Sequence, residues 1–353
     1  MTSNPRSAGR RSRVSVRDVA QRAGVAASTV SRVLSNHPDV SQGTQQRVMA
    51  AVEELGYRPN VLGQMLRQGA TKTVGFSIGD ISNPLFAEIA LGAEVAFSEH
   101  GYSVLLSNSM SNPDQELRNL QVLEQRRVDG LLLSVTTERD PRLLAILGHF
   151  DGPMVAIDRD IASEFPVGSV YSDHKTGIAE AVNALYRADH RHIALVTGLA
   201  ELRPGRQRAA AATQAAEQLG MRCDVHSSPD PTGPETDTIA SILNAKNRPT
   251  ALIAGNNQIL IGVLEALDKT HLSYPADISL VTCDEVPLLR FLRPTIATVR
   301  RDPYQLGQKA ADLLLDQLLG TDRTTHLVEL PTAFSPGQSI GPPPTTMPHP
   351  RPA

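Results

Sequence analysis

Apolar positions along the chain follow two different rhythms. In the first 56 residues they recur every three or four places: Val16, Val19, Ala20 and Ala23, then Val30, Val33 and Leu34, then Val48, Ala51, Val52 and Leu55. Each set falls on one face of a helix, so the spacing predicts three short helices. Ser15 with Asp18 three places on has the form of a capping box, and Ser41 opens the third helix. Gly24 and Gly56 stand where left-handed C-caps belong. Tyr57–Gly69 reads as a connector: Pro59 stops the preceding helix, Asn60 can cap a new one, and Val61–Arg67 offers two turns. A helix that short is marginal alone in water.

From Thr73 onward the rhythm changes. Short apolar runs at Thr73–Ile78, Ser103–Ser107, Gly130–Val135, Met154–Asp158, Ile193–Thr197, Ala251–Ala254 and Ile278–Thr282 alternate with helical stretches such as Phe86–His100 and Gly177–Ala188. That alternation predicts parallel sheets covered by helices, with enough chain for two doubly wound lobes. Residues 1–13, rich in Arg, Ser and Gly, read as a disordered basic tail, and residues 333–353 as a flexible Pro-rich tail.

Composition narrows the class. The chain has 353 residues, 41% of them hydrophobic, which suits two to three globular domains. No apolar run approaches the roughly 20 residues that cross a bilayer, so no membrane partner is expected. The polar N-terminus lacks the apolar segment of a secretory signal. Cys223 and Cys283 make neither a disulfide framework nor a zinc pattern, and the expected compartment is the cytoplasm. The net charge of −3 conceals an asymmetry: eleven Lys/Arg against four Asp/Glu up to Lys72, and 23 against 33 beyond it. A basic head on an acidic body suits a polyanion at the head.

The segment VSVRDVAQRAGVAASTVSRVLSNHPDVS supplies what a helix-turn-helix needs: two short helices, an apolar inner face and a glycine turn. Its second helix would enter the major groove, with Ala27 and Ser28 at base edges and Arg32 one turn later, able to form a bidentate pair with guanine.

At this point the sequence resembles the LacI/GalR family of bacterial repressors, on DVAxxAGV, STVSRVLS, the third-helix ending ELGYRPN and the connector behind it. The resemblance implies base-reading positions at Ala27, Ser28 and Arg32, and phosphate or local contacts from Thr29 and Ser31. It also implies a hinge helix over 60–69, capped by Asn60, that forms in the minor groove of a double-stranded operator, with Leu66 as the apolar wedge. Two departures weaken helices: Ala26 stands where the family often has the Ser that caps the recognition helix, and Gly63 sits within the hinge, each costing about 1 kcal/mol.

The resemblance continues through residues 14–332, in ISNPLFAEIALGAEVAFSEHGYSVLL, VDGLLL, IDRD, HRHIALVTG, RPTALIAGNN, PADISLVTCDE and RPTIATVRRD. It implies a type I periplasmic-binding-protein-like body behind the helix-turn-helix head (14–59). The N-terminal lobe would span 73–172 and 299–332, and the C-terminal lobe 173–298. A small-molecule effector is then expected in the cleft, against Asp80, Phe86, Asp158, Arg159, Arg208, Asn256, Asp284 and Arg301. Each of these follows a predicted strand or begins the next helix, where open α/β sheets place ligands. Arg301 stands where the family commonly has Gln, and Asn257 where it has Asp. With Arg159, Arg208 and Arg301 together, the expected effector is polar or anionic: a sugar, sugar acid or sugar phosphate. The competing expectation is that Arg301 pairs structurally with Asp284 or Asp302.

The function expected is that of a homodimeric repressor whose hold on a pseudo-palindromic operator is set by the effector; the alternative is the same fold governed by a partner protein or corepressor. An enzyme is not expected. No dinucleotide or P-loop glycine motif is present, and the one G-x-S-x-G match, Gly75–Gly79, puts Ser77 inside a predicted strand where a nucleophile elbow needs a sharp turn. No cofactor is expected, and His174, His190 and His192 suit a helix start and a loop better than a metal site.

Overall fold

The computed structural model describes residues 14–34, 39–57, 70–161, 165–228, 233, 235–322, 324 and 326–345. The chain divides into two units, residues 1–71 and 72–353. The expected tail over 1–13 and hinge over 60–69, with Asn60, Gly63 and Leu66, lie outside the described residues.

The first unit contains α1 (Val16–Ala23), α2 (Ala27–Leu34) and α3 (Gln42–Leu55). Its start is fixed locally: the Ser15 side chain accepts from the Asp18 amide while the Asp18 carboxylate takes the Ser15 amide at 2.7 Å. Gly24 (φ 65°) and Gly56 (φ 58°) close α1 and α3 in the left-handed region, where a side chain is disfavoured. The apolar positions of the three helices, Val19, Ala20, Val30, Val33, Val48 and Ala51 among them, bury together with Tyr57.

The second unit holds two six-stranded sheets of identical order. The first sheet runs β11-β5-β4-β3-β1-β2 and the second β12-β10-β9-β8-β6-β7. Its strands are β1 (Thr73–Ile78), β2 (Ser103–Asn108), β3 (Gly130–Ser134), β4 (Met154–Ile157), β5 (Gly168–Ser172) and β6 (His192–Thr197), followed by β7 (Arg222–Ser227), β8 (Ala251–Ala254), β9 (Ser279–Cys283), β10 (Ala297–Arg300), β11 (Leu327–Leu330) and β12 (Ala333–Ser335). Between them lie α4 (Pro84–Glu99), α5 (Pro113–Gln125), α6 (Pro141–Gly148), α7 (His174–Arg187), α8 (Arg203–Gln218), α9 (Thr236–Asn244), α10 (Asn257–Thr270) and α11 (Pro303–Leu319). Among the described residues all pairings are parallel except β12 against β10. The central strands are buried on both faces and accordingly read as unbroken apolar runs.

The chain passes between the lobes three times: from β5 to α7, from β10 to α11, and from β11 to β12. The structure departs from expectation at two places. The boundary placed between 298 and 299 cuts β10, which belongs wholly to the second sheet, so the return to the first lobe begins with α11. The stretch from 333 to 345, expected as a flexible tail, is structured. Ser339 is fully buried, its carbonyl accepts from the Leu280 amide at 2.9 Å, and its hydroxyl accepts from Ala297 N at 2.8 Å. Buried backbone donors of β9 and β10 need acceptors, and this segment supplies them.

Helices α4 and α11 pack closely on the first sheet because Gly92 and Gly307 let their backbones meet. A Cβ on Gly92 would strike the Tyr304 carbonyl, and one on Gly307 the Ile89 carbonyl. Backbone cannot yield as a flexible side chain does. Gly307→Ala is therefore expected to destabilise this unit by about 3 kcal/mol, read as a fall in its denaturation midpoint.

Candidate functional site

Two sites follow from the two units. In the first, α2 buries Val30 and Val33 and turns Ala27, Ser28 and Arg32 outward, with Thr29 and Ser31 half-buried at its flanks. Ala26 offers only its carbonyl, which takes the Thr29 and Val30 amides at 2.9 and 3.2 Å. Arg22 on α1 pairs with Glu54 on α3 at 2.5 Å, tying the first and third helices. The exposed face of α2 thus carries a short apolar residue, a hydroxyl and a guanidinium over a fixed three-helix base.

In the second unit, a cavity of about 120 Å³ lies between the lobes at the C-terminal ends of the strands. All eight residues expected in the cleft line it. Asp80 follows β1 and folds back on Ser82, accepting from its amide at 2.9 Å and its hydroxyl at 2.7 Å. Asn83 caps α4, which begins with Pro84 and brings Phe86 to the wall. Asn256 caps α10, accepting from the Ile259 amide at 2.8 Å. Asp158 ends β4 and Asp284 ends β9, both at positive φ (50° and 70°). Such backbone is strained for a non-glycine residue and clusters at functional sites.

Arg301, just after β10, is not available as a free cation. Its Nε and Nη2 fork onto Asp284 at 2.5 and 3.1 Å, and its Nη1 reaches Asp158 at 2.5 Å. Asp302 is occupied elsewhere, capping α11 through the Gln305 amide. The structural pairing is therefore what Arg301 does, and Arg159 and Arg208 are left as the guanidiniums able to meet a ligand. Arg159 donates to the Val135 carbonyl at 2.5 Å and the Asp158 carbonyl at 2.8 Å. Arg208 stands 3.8 Å from Asp284, and its buried Nε has no hydrogen-bond partner among the described residues. Formal charges lining the cavity balance: Arg159, Arg208 and Arg301 against Asp80, Asp158 and Asp284.

Burial opposes charge on Asp158, yet the neighbouring His174 and Arg301 and the Ser172 amide outweigh it and hold the carboxyl well below its usual range. Burial likewise opposes charge on Asp284, and Arg301 and Arg208 overcome it. His174 is pushed down to about 4 by burial and by the charge of Arg208, so its ring is neutral near pH 7. His190 instead bonds Thr250 at 2.8 Å and both Ser279 and the Gly341 carbonyl at 2.9 Å. Ser77 lies inside β1, fully buried.

These features have counterparts in known proteins. A family model described as bacterial regulatory proteins, lacI family, matches residues 15–60, and one described as a periplasmic binding protein-like domain matches residues 182–340. The HTH-type transcriptional repressor PurR of Proteus mirabilis is 31% identical over 319 residues, covering 89% of this chain and 93% of that one. The chain belongs to the LacI family of bacterial regulatory proteins. The ribose operon repressor of Escherichia coli is also 31% identical, over 86% of this chain and 92% of its own. The lac repressor dimer bound to operator and the anti-inducer ONPF superposes with a TM-score of 0.82 at 25% identity, covering 93% of this chain and 99% of that one. The head, the paired six-stranded sheets and the three crossings are thus the architecture of a LacI-type regulator.

Several lining residues escaped the sequence reading. Ser111, Ser134 and Thr136 add hydroxyls to the wall, and Gly205 lets α8 approach the Leu199 carbonyl. The signal available for the first three was only a polar residue at a strand's C-terminal end. Beneath Thr136 sits Glu116 on α5, buried, accepting from the Thr136 amide at 3.0 Å and its hydroxyl at 2.8 Å. Burial pushes its carboxyl up from 4.5 to about 7, against the opposing pull of the Thr136 donors. A carboxyl whose pKa is raised on folding favours the fold below its unfolded pKa, and stability drains away as pH rises from about 4.5 to 7. Glu116→Gln keeps an acceptor for Thr136 but cannot ionise. Its melting curve is expected to match the wild type near pH 4.5 and to exceed it above pH 7 by up to about 3 kcal/mol.

Proposed function

We propose that this protein is a homodimeric, sequence-specific repressor in the cytoplasm, released from or held on its operator by a small neutral sugar-like effector in the cleft. The observation that carries this reading is the charge-balanced cavity at the strand ends of a LacI-type body, joined in one chain to a helix-turn-helix. Ala27, Ser28 and Arg32 read base edges, Thr29 and Ser31 meet phosphates, and Asn60 and Leu66 belong to a hinge that docks in the minor groove. Two heads on a two-fold body call for a pseudo-palindromic operator.

The effector is compact, because the cavity is smaller than the roughly 300–1,000 Å³ of sites for drug-sized ligands. It is neutral, because Arg301 is matched by Asp158 and Asp284, and the guanidiniums of Arg159, Arg208 and Arg301 are balanced by the carboxylates of Asp80, Asp158 and Asp284. Arg208, with its unpartnered Nε, and Arg159 donate to ligand oxygens; Asp80 and Asn256 complete the polar ring. A relative that represses a ribose operon supports a monosaccharide. The dimer is supported by apolar surface left uncovered on the body: Leu288 (69% exposed) and Phe291 (77% exposed), one turn apart on the 3-10 helix Pro287–Phe291, with Ile261 on α10 and Leu91 on α4. Effector action requires different affinity for two lobe arrangements; tight binding alone shifts nothing.

Calorimetry with pentoses, hexoses and their acids and phosphates tests the effector. Neutral sugars are expected to bind and Arg208→Ala to weaken them at least tenfold; a ligand set of sugar phosphates alone would overturn the neutral reading. In anisotropy titrations against a selected operator, Arg32→Ala is expected to lose about 10- to 100-fold in affinity and to relax preference at one base position. Equal binding of operator and random duplex by the wild type would overturn the repressor reading.

A further inference from the structure

We propose that Glu138 is a positioning residue: from the first lobe it caps the leading turn of α8 in the second lobe, and with Arg203, Arg206 and Asp160 it forms a latch that sets Arg208 in the cleft. The proposal rests on the reading of that cleft as the ligand site.

Helix α8 begins without a cap of its own. The residue ahead of it is Leu202, whose side chain accepts nothing, yet the leading amides of a helix need acceptors. Glu138 supplies one from across the cleft: its Oε1 accepts from the Arg203 amide at 2.7 Å. Its Oε2 is ion-paired with Arg206 Nη2 at 2.8 Å, though without hydrogen-bond geometry, and the same Nη2 stands 2.8 Å from Asp160. The Arg203 side chain, 9% exposed, sits between Asp160 and Glu329 at 3.3 Å each and lies 3.8 Å over the Tyr171 ring. Glu138, Asp160, Tyr171 and Glu329 all belong to the first lobe, and both arginines to one turn of the second. Three carboxylates therefore converge on two guanidiniums and the positive end of a helix, a complementary set.

Glu138 is only 2% exposed, and a buried carboxylate is strongly disfavoured without these partners. Opening the cleft removes them together, hydrating Glu138 and uncapping α8. The arrangement therefore has two states. Arg208 lies on the same helix, under two turns beyond the cap, so the latch and the ligand-facing guanidinium move as one body.

Hydrogen exchange on the full chain without ligand tests the latch. In Glu138→Ala, the amides of Arg203 and Gly205–Gln207 are expected to exchange at least tenfold faster, while those of β6 and β8 keep wild-type protection. Glu138→Gln, which retains the cap acceptor and loses the charge, is expected to restore protection to within a few fold. Unchanged exchange in Glu138→Ala overturns the latch. Should that variant fail to fold, Asp160→Asn at a partly exposed partner is expected to accelerate the same peptide by severalfold, and no acceleration there overturns the latch equally. These readouts need no effector, so they stand apart from the ligand reading. With a sugar that binds the wild type, Glu138→Ala is expected to lower affinity at least tenfold; wild-type affinity despite fast exchange overturns the link to Arg208.

Discussion

The guanidinium of Arg301, shared between two buried aspartates, holds the floor of the cleft. The two lobes repeat each other, and the repeat shows what is unusual about it. In the first lobe the Asp158 amide donates to Val170 on the next strand at 2.9 Å; in the second the Asp284 amide donates to Val299 at 3.0 Å. Two places beyond each valine stands the residue that satisfies the aspartate. In the first lobe it is Ser172, whose amide reaches Asp158 at 2.6 Å. In the second it is Arg301, long enough to serve its own Asp284 and then cross to Asp158. A quasi-symmetric pair of strand ends thus becomes one joined unit through a single substitution of short for long.

Burying three charges is tolerable only if each is fully partnered, since desolvation costs several kcal/mol per ion. Asp158 meets that condition with Ser172 and Arg301, and Asp284 with both Arg301 and Arg208. Asp158 and Asp284 both stand at positive φ, and the same contacts fix their carboxylates there. The floor therefore links lobe geometry to charge: anything that moves one lobe must re-solvate at least one of these groups.

Much of this was legible from residue order. Ser15, Asp18, Gly24 and Gly56 mark the ends of the head's helices because capping is local chemistry, readable within four residues. The eight cleft positions were legible through the resemblance to the LacI/GalR family, and the parallel-sheet rule, which gathers strand ends at one edge, agreed with it. What was not legible depends on distances between far-separated residues. Nothing local to Arg301 says that Asp158 will come within 2.5 Å of it, and nothing local to Glu138 says that a helix without a cap will arrive beside it. The proline-rich ending misled for the same reason: composition suggested fraying, but the unsatisfied backbone of two buried strands decided the matter.

The threefold passage of the chain between the lobes bears on biosynthesis. The first sheet is complete only when β11 pairs with β5, and the Gly92 face of α4 is covered only when α11 has been made. During synthesis, the early half of the body must therefore wait, with that face of α4 uncovered, until residues near 330 have left the ribosome. At roughly 5–20 residues per second the delay is about ten seconds or more, long enough for a holding chaperone to matter. The second lobe waits in turn for β12 at its edge, so neither half can be released as an independent folding unit by cutting the chain at a single point.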